Sequence, residues 1–106
     1  MAMILYVVKW NIHPEKQDAY YNWLNGVIPR TLAVPGVVEF RGYRGLLGTS
    51  QIVATYEFAS LLDWSAWFTH EENQKVLGEL YGVTLNAVGE LWGPSPAVPA
   101  PIRPGK

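Results

Sequence analysis

The sequence predicts an α+β domain in which four strands form one antiparallel sheet and two helices cover one of its faces. Strand-like and helix-like stretches alternate along the 106 residues in the order βαββαβ. This length suits a single domain with its own core. Hydrophobic residues make up 49% of the chain and charged residues only 16%, so some apolar surface is expected to be buried against a partner subunit.

The first strand is predicted from Ile4 to Trp10, where β-branched and aromatic residues leave both strand faces apolar. A helix should begin at Pro14 and Glu15, since proline fits the first helical position and an acidic residue favours a helix N-terminus. Apolar residues then recur at helical spacing. Pro29 is expected to kink or end this helix near Ile28, because proline removes a backbone donor.

The second and third strands are predicted as a hairpin. Pro35-Gly36 is a strong turn signal. The alternating stretch Val37 to Arg44 follows, and Gly45 and Gly48 open the loop that leads into the strand Gln51 to Phe58.

The second helix carries the clearest start signal in the chain. Ser60 and Asp63 form a capping-box-like pair. The helix is expected to break around residues 70–73 and then to continue, with Gly82 as its C-terminal glycine. The last strand is predicted from Val83 to Trp92.

This order corresponds to the ferredoxin-like, split-βαβ arrangement, with the first and third strands in the middle of the sheet. The predicted domain covers residues 1–92. Residues 93–106 hold five prolines without apolar periodicity and are expected to form an extended or disordered tail.

Strand alternation divides the predicted sheet into two faces. The face expected to lie under the helices is almost wholly apolar: Ile4, Tyr6, Val8, Trp10, Val38, Phe40, Ile52, Ala54, Tyr56 and Phe58. The opposite face mixes apolar and charged residues: Leu5, Val7, Lys9, Glu39, Arg41, Tyr43, Val53, Thr55 and Glu57. We expect this open face to form a homodimer interface, with its charged residues in mutual salt bridges. A plain solvated face is the alternative.

Composition excludes several classes of function. A net charge of −1 and a pI near 6.1 provide no electrostatic footprint for nucleic acid or an anionic membrane. Cysteine is absent, so thiolate metal sites and cysteine nucleophiles are excluded. No metal, phosphate-loop or nucleotide motif appears, and no cofactor is implied. The apolar run Met3 to Val8 is too short for a membrane span, so a cytoplasmic protein is expected.

The stretch Phe58 to His70 holds the main candidate site. Trp64 and Trp67 recur at helical spacing and could line an aromatic-binding pocket. His70 follows them and is the candidate catalytic residue, a general base near neutral pH. The structural alternatives are core packing for the tryptophans and a helix-terminal role for the histidine.

Further candidates for ligand contact come from the first helix and the strands. Tyr20 and Trp23 lie on the apolar stripe of the first helix, and Tyr6 and Tyr56 lie on the helix-facing side of the sheet. Buried tyrosine hydroxyls need a hydrogen-bond partner, which a ligand or a backbone group can supply. Arg44 could orient a phenolate or carboxylate. His13 is expected to cap the first helix.

Four segments resemble the dimeric α/β-barrel superfamily: Asp18-Ala19-Tyr20-Tyr21-Asn22-Trp23, then Val27-Ile28-Pro29, then Val34-Pro35-Gly36-Val37, then Arg41-Gly42-Tyr43-Arg44. The Phe58–His70 stretch is similar to the second helix of the same group. The resemblance spans residues 3 to 92 and is closest to the antibiotic biosynthesis monooxygenase-like and EthD-like branches. EthD-like members carry histidine where this chain has Val27. Haem-degrading members space their asparagine, tryptophan and histidine differently.

The resemblance implies a homodimer that holds a small apolar or aromatic molecule between sheet and helices. One hypothesis is therefore a cofactor-independent monooxygenase or isomerase that uses His70 as base. The alternatives are a non-catalytic ligand-binding protein of the same fold and a haem-binding protein.

Overall fold

The computed structural model describes residues 3–105, and its elements follow the predicted order with the second helix divided in two. They are β1 (Ile4–Ile12), α1 (Gln17–Ala33, after a short 3-10 turn at Pro14–Lys16), β2 (Val37–Arg44), β3 (Ile52–Phe58), α2 (Leu61–Phe68), α3 (Glu71–Val83) and β4 (Thr84–Trp92). The expected break in the second helix is confirmed, at Thr69 and His70.

The sheet is antiparallel throughout, in the strand order β2-β3-β1-β4. The prediction that the first and third strands occupy the middle is confirmed, and so is the ferredoxin-like α+β fold. The core lies between the sheet and the helices, where buried side chains from β1 and β3 meet helix residues: Tyr6, Val8, Trp10, Ala54, Tyr56 and Phe58 against Tyr20, Trp67 and Leu80.

The face assignment of Val38 was wrong. The register of β2 against β3 shifts between Val37 and Glu39, so one residue of β2 is extra. As a result Val37 packs against the core, whereas Val38 is 57% exposed. A bulge cannot be read from strict alternation, and for this reason the prediction failed at this position.

Helix α1 does not end near Ile28, which was one of the two expected outcomes, and continues through Pro29 to Ala33. Pro29 removes the N–H that would bond to the carbonyl of Asn25, but both residues are exposed, so water can satisfy that carbonyl. Tertiary contacts hold the last turn instead. Thr31 is 3% exposed, and its carbonyl accepts a hydrogen bond from Trp67 Nε1 at 2.9 Å.

Gly82 is not the C-terminal glycine of α3, because the helix continues to Val83 and the described residues with positive φ do not include it. Side chains satisfy the last carbonyls of this helix instead. Thr84 Oγ1 donates to the Leu80 carbonyl at 2.7 Å, and Lys16 Nζ donates to the Gly82 carbonyl at 3.0 Å. With those acceptors bonded, a left-handed glycine is not required.

The open face of the sheet carries ion pairs that differ in part from the expected set. Arg41 pairs with Glu39 as expected, with Nε and Oε1 2.9 Å apart. Lys9, however, pairs with Glu90 of β4 at 3.3 Å, because β4 lies directly beside β1. Between these pairs Val7 is only 1% exposed.

Apolar side chains remain uncovered on the same face. Tyr43, Val88 and Trp92 are 50%, 50% and 48% exposed. They flank the buried centre of the face on both sides, since Tyr43 belongs to β2 and the other two belong to β4. After Trp92 the described chain, through Gly105, forms no helix or strand, and these residues are exposed.

Trp67 joins α2 to the end of α1 and to the sheet. The Thr31 carbonyl would normally bond to the N–H of residue 35, but residue 35 is proline. Trp67 Nε1 takes that place, and the indole ring packs at 4.8 Å from the Tyr56 ring and 5.2 Å from the Phe58 ring, between ring centroids. The indole therefore satisfies a buried acceptor and fills the core at once.

We predict that Trp67→Phe lowers the free energy of unfolding by about 1–3 kcal/mol, because the buried Thr31 carbonyl loses its donor. Tyr21→Phe is the control, another exchange of an aromatic side chain for phenylalanine, since the Tyr21 ring is 53% exposed on α1 and lies outside the open face of the sheet. Urea denaturation of both variants measures the difference. Equal losses of stability in the two variants would contradict the role assigned to Trp67.

Candidate ligand site

Two neighbouring cavities lie between the sheet and the helices. The first, here called the inner cavity, has a volume of about 70 Å³ and lies among α1, the start of α3 and the middle of the sheet. Its lining is mainly apolar and aromatic, and includes Tyr6, Trp23, Val27, Thr31, Phe40, Tyr56, Trp67, Asn73 and Leu77. A cavity needs only about 10–15 Å³ to hold a single water molecule, so the inner cavity has space for a small chemical group.

The second, the outer pocket, has a volume of about 330 Å³ and lies between β4 and the helices α2 and α3. Ligand pockets in proteins start at about 300 Å³, so this one has the size of a small-molecule site. Its walls include Tyr6, Trp64, Phe68, Leu77, Tyr81, Gly89 and Leu91. Tyr81 and Leu91 are 61% and 40% exposed, which places the mouth of the pocket at the edge formed by β4.

Tyr6 lines both cavities. Its ring contacts the edge of Phe68, with centroids 5.6 Å apart, and stands 6.0 Å from the ring of Trp64. Burial, with smaller contributions from Tyr81 and Tyr56, raises the pKa of the Tyr6 phenol to about 12. The hydroxyl therefore keeps its proton at neutral pH and can donate a hydrogen bond to a ligand.

Trp64 forms the wall opposite β4. Its indole stacks on Phe68 with centroids 5.0 Å apart and an angle of 21° between the planes. Its Nε1 is buried and has no hydrogen-bond acceptor in the described part of the chain. A buried donor without a partner costs about 1–3 kcal/mol, so this N–H is a candidate contact for a bound molecule.

The other four tryptophans, all within residues 3–105, differ from Trp64 in this respect. Each of their indole N–H groups donates to a protein oxygen: Trp10 to the Tyr20 hydroxyl, Trp23 to the Glu79 carboxylate, Trp67 to the Thr31 carbonyl and Trp92 to the Glu90 carboxylate. The free indole is thus found at the wall of the larger cavity.

His70 lines neither cavity. It is exposed and caps α3, where its Nδ1 accepts a hydrogen bond from the backbone N–H of Glu72 at 3.1 Å. His13 caps the 3-10 turn before α1 in the same way, with Nδ1 accepting from Glu15 N–H at 3.2 Å, as expected. The structure therefore separates the predicted base from the predicted aromatic wall.

The other predicted site residues divide into two groups. Tyr56, Trp67 and Trp23 line the inner cavity with Tyr6. Tyr20 and Arg44 line neither cavity. Tyr20 is 1% exposed, and its hydroxyl accepts a hydrogen bond from Trp10 Nε1 at 3.1 Å. Burial raises the pKa of its phenol. The ring is enclosed in the core and does not reach either cavity. Arg44 is exposed at the end of β2.

Among the lining residues that sequence reasoning did not single out, Asn73 and Gly89 matter most to the site. Asn73 interrupts the apolar stripe of α3 at helical spacing from Leu77 and Leu80, and this polar residue on a core face was the signal available. Gly89 pairs with Val8 and faces the helices, where an added Cβ would lie 3.0 Å from the Tyr6 hydroxyl. A glycine there leaves space for the phenol, and nothing in the alternation of β4 marks it.

A cluster of charged side chains, here called the clasp, links α1 to α3 at the surface beside the inner cavity: Arg30, Glu72 and Glu79. Arg30 binds Glu79 through both terminal nitrogens, at 2.7 and 3.1 Å, and its Nε binds Glu72 at 3.0 Å. Trp23 Nε1 donates to the same Glu79 carboxylate at 2.9 Å. The hydrogen bonds from Arg30 lower the pKa of both carboxyls.

No cluster of metal-ligating side chains occurs among residues 3–105. In that same range no helix has the length and apolar character required to cross a membrane.

The family model for antibiotic biosynthesis monooxygenases matches residues 3–77, which run from the first residue of the described structure into α3. This range contains Tyr6, Trp64, Phe68 and Asn73. No functionally curated protein matches the chain in sequence.

Solved structures with the same fold share little sequence with the chain. A ferredoxin-like dabb family protein from Mesorhizobium loti superposes with a TM-score of 0.76 at 14% identity, covering 87% of this chain and 96% of its own. A dimeric ferredoxin-like protein of unknown function from Bacteroides fragilis gives 0.66 at 14% identity, covering 85% and 94%. SnoaB from Streptomyces nogalater, a cofactor-independent oxygenase solved in a mutant form, gives 0.69 at 11% identity, covering 85% and 90%. These similarities show the fold.

The clasp predicts an acid-sensitive stability. Because Arg30 lowers the pKa of Glu72 and Glu79 in the folded state, the unfolded chain binds more protons in acid. The stabilisation should be complete above the ordinary glutamate pKa of about 4.3 and should be lost as pH falls through the lowered values. When Glu79→Gln is denatured between neutral and acid pH, its free energy of unfolding should fall less steeply with pH than that of the wild type.

The control is Glu71→Gln on the same helix, whose carboxylate is 85% exposed and 3.7 Å from Lys75. In this variant the free energy of unfolding should fall with pH as steeply as it does in the wild type. If Glu79→Gln and Glu71→Gln show the same slope, the clasp does not contribute to stability as described.

Proposed function

We propose that this chain, which belongs to the antibiotic biosynthesis monooxygenase family, binds a small aromatic molecule in the outer pocket and oxidises it with dioxygen without a cofactor. The observation that carries the proposal is the buried, unpartnered indole N–H of Trp64 at the wall of a 330 Å³ aromatic pocket. The similarity to SnoaB, a cofactor-independent oxygenase, supports the same class of reaction.

The free donors suit a substrate whose oxygen becomes negatively charged. In an apolar pocket, fixed donors stabilise a developing oxyanion more strongly than they do in water. Trp64 Nε1 is one such donor. The Tyr6 hydroxyl is the second, and its pKa of about 12 keeps it protonated beside the anion. A phenol or cyclic ketone with an acidic neighbouring C–H fits this arrangement.

The reaction needs no external reductant when the substrate carries a methylene between aromatic rings. A proton passes from that carbon to water at the mouth of the pocket, which leaves a carbanion delocalised onto the ring oxygen. The carbanion forms a C–O bond to dioxygen, and uptake of a proton gives a hydroperoxide. Loss of the second methylene hydrogen with cleavage of the O–O bond then gives the ketone and one molecule of water. Dioxygen is the only oxidant, and the protein contributes desolvation and hydrogen bonds.

Non-catalytic binding of the same kind of molecule is the second candidate. Catalysis by proton transfer would normally use a carboxylate or imidazole side chain as base. In the lining of the two cavities Glu90 is the single residue with such a side chain, and this favours binding without catalysis. The Glu90 carboxylate is bonded to Lys9 and Trp92 on the open face. Binding without oxygen uptake would support this candidate over the oxygenase.

We further propose that the protein is a cytoplasmic homodimer that pairs through the open face of its sheet. The exposed Tyr43, Val88 and Trp92 support this pairing, and a protein of the same fold is described as dimeric. Charged residues at both sides of the buried centre fit a polar rim around an apolar contact.

The oxygenase proposal predicts that 1,8-dihydroxyanthrone, a tricyclic phenol with a methylene between its rings, binds and is oxidised with consumption of one dioxygen per molecule. Gly89→Ala should weaken binding about tenfold or more, since its Cβ meets the Tyr6 hydroxyl at 3.0 Å. Thermal shift and an oxygen electrode measure the two effects.

Gly42→Ala is the matched control, a strand glycine whose added Cβ has no neighbour within 4 Å. It should leave binding and oxygen uptake unchanged. Absence of binding in the wild type would refute both candidate functions, whereas binding without uptake would refute the oxygenase alone.

The dimer predicts a mass of about twice 11.9 kDa by light scattering at micromolar concentration. Val88→Asp should reduce it to the monomer mass, because a carboxylate is costly to bury in an apolar contact even beside Lys9, its neighbour across the strands, whose ammonium already pairs with Glu90. Leu62→Asp on α2, where the side chain is 78% exposed away from the open face, should remain dimeric. A wild type of monomer mass would overturn the proposed interface.

A further inference from the structure

Apart from the Tyr6 hydroxyl, which also lines the outer pocket, the polar side chains that line the inner cavity are satisfied by the protein with one exception. The indoles of Trp10, Trp23 and Trp67 donate to protein oxygens. The Tyr56 hydroxyl donates to Thr31 Oγ1 at 3.2 Å, and that hydroxyl in turn donates to the Ile28 carbonyl at 2.9 Å. Burial raises the pKa of the Tyr56 phenol, so this chain of hydrogen bonds persists at neutral pH.

The exception is Asn73. Its side-chain Nδ2 donates to the Trp67 carbonyl at 2.7 Å, and this bond fixes the orientation of the amide. The other end of the amide, Oδ1, is buried and has no donor within the described part of the chain. Asn73 is only 6% exposed, although it lines the cavity. Beside the Tyr6 hydroxyl, which the two cavities share, the inner cavity thus offers one free polar atom of its own, and that atom accepts hydrogen bonds.

We propose that the inner cavity is a subsite for a neutral hydrogen-bond-donating substituent of the bound molecule, a hydroxyl or N–H group that donates to Asn73 Oδ1. The proposal rests on the proposed function, because the aromatic body of the same molecule occupies the outer pocket. The two cavities share the walls Tyr6, Val8, Phe68, Leu77 and Leu80 and therefore adjoin. The proposal places a short substituent across that shared boundary.

The chemistry of the subsite determines what it rejects. A carboxylate or a ketone brings a further acceptor to Asn73 Oδ1 and leaves both oxygens unpaired. A cationic amine loses its hydration in a cavity that has no charged side chain in its lining. The volume of about 70 Å³ limits the substituent to a few heavy atoms.

The test uses two probes of equal shape, 2-naphthylmethanol and 2-ethylnaphthalene, which differ in a hydroxyl against a methyl group. The ratio of their dissociation constants, measured by NMR titration, should change about tenfold in favour of the ethyl compound when Asn73 is replaced by leucine. In the wild type, nuclear Overhauser contacts should place the CH₂OH group beside Asn73 and Trp67.

Gln74→Leu is the matched control. Gln74 Nε2 donates to the Phe68 carbonyl at 2.6 Å, much as Asn73 Nδ2 donates to Trp67, but Gln74 is exposed and lines neither cavity. The control should keep the wild-type ratio, so a change in Asn73→Leu alone reports the free acceptor and not the lost helix contact.

An unchanged ratio in Asn73→Leu would overturn the subsite while leaving the proposed function intact. Overhauser contacts of the hydroxymethyl group with outer-pocket residues alone, and an ordered water at Asn73, would overturn it as well. If Asn73→Leu does not fold, the wild-type contacts decide. Binding of neither probe would overturn the proposed function together with the subsite.

Discussion

The arrangement of the helices depends on one indole. Trp67 donates to the Thr31 carbonyl at the end of α1, its own carbonyl accepts from Asn73 at the start of α3, and its ring packs on the sheet. The need for this contact originates in Pro35, which cannot supply the N–H that the Thr31 carbonyl would otherwise receive. One side chain thereby links three helical segments to the strands, and the space between these helices and the strands holds the two cavities.

Within that space almost every polar group bonds to the protein, which makes the exceptions informative. A small domain gains little from leaving buried donors or acceptors unpaired, because each one costs a large part of a total stability of about 5–15 kcal/mol. The two unpartnered buried side-chain atoms of the described chain are Trp64 Nε1 and Asn73 Oδ1. One is a donor at the outer pocket and the other an acceptor at the inner cavity, so together they define what a bound molecule must present.

The strand order, the broken second helix and most of the aromatic wall could be predicted from the sequence, since they depend on local spacing and turn residues. The failures have a common cause in tertiary structure. Pro29 remains helical because Thr31 is held by Trp67, and Val38 turns outward because of a bulge that alternation does not mark. His70, the candidate base, caps α3 on the surface, which matches the helix-terminal alternative stated for it. Only the fold shows which polar atoms lack partners.

The most direct test of the central claim is a proton–nitrogen correlation spectrum of the tryptophan indoles, recorded without oxygen during addition of 1,8-dihydroxyanthrone. The chain has five tryptophans, and in four of them the indole N–H already bonds to a protein oxygen. The Trp64 signal, assigned as the one missing in Trp64→Phe, should move downfield as its N–H gains an acceptor, and the Trp10 and Trp92 signals should stay unchanged. A Trp64 signal that stays in place while the compound binds would contradict the claim.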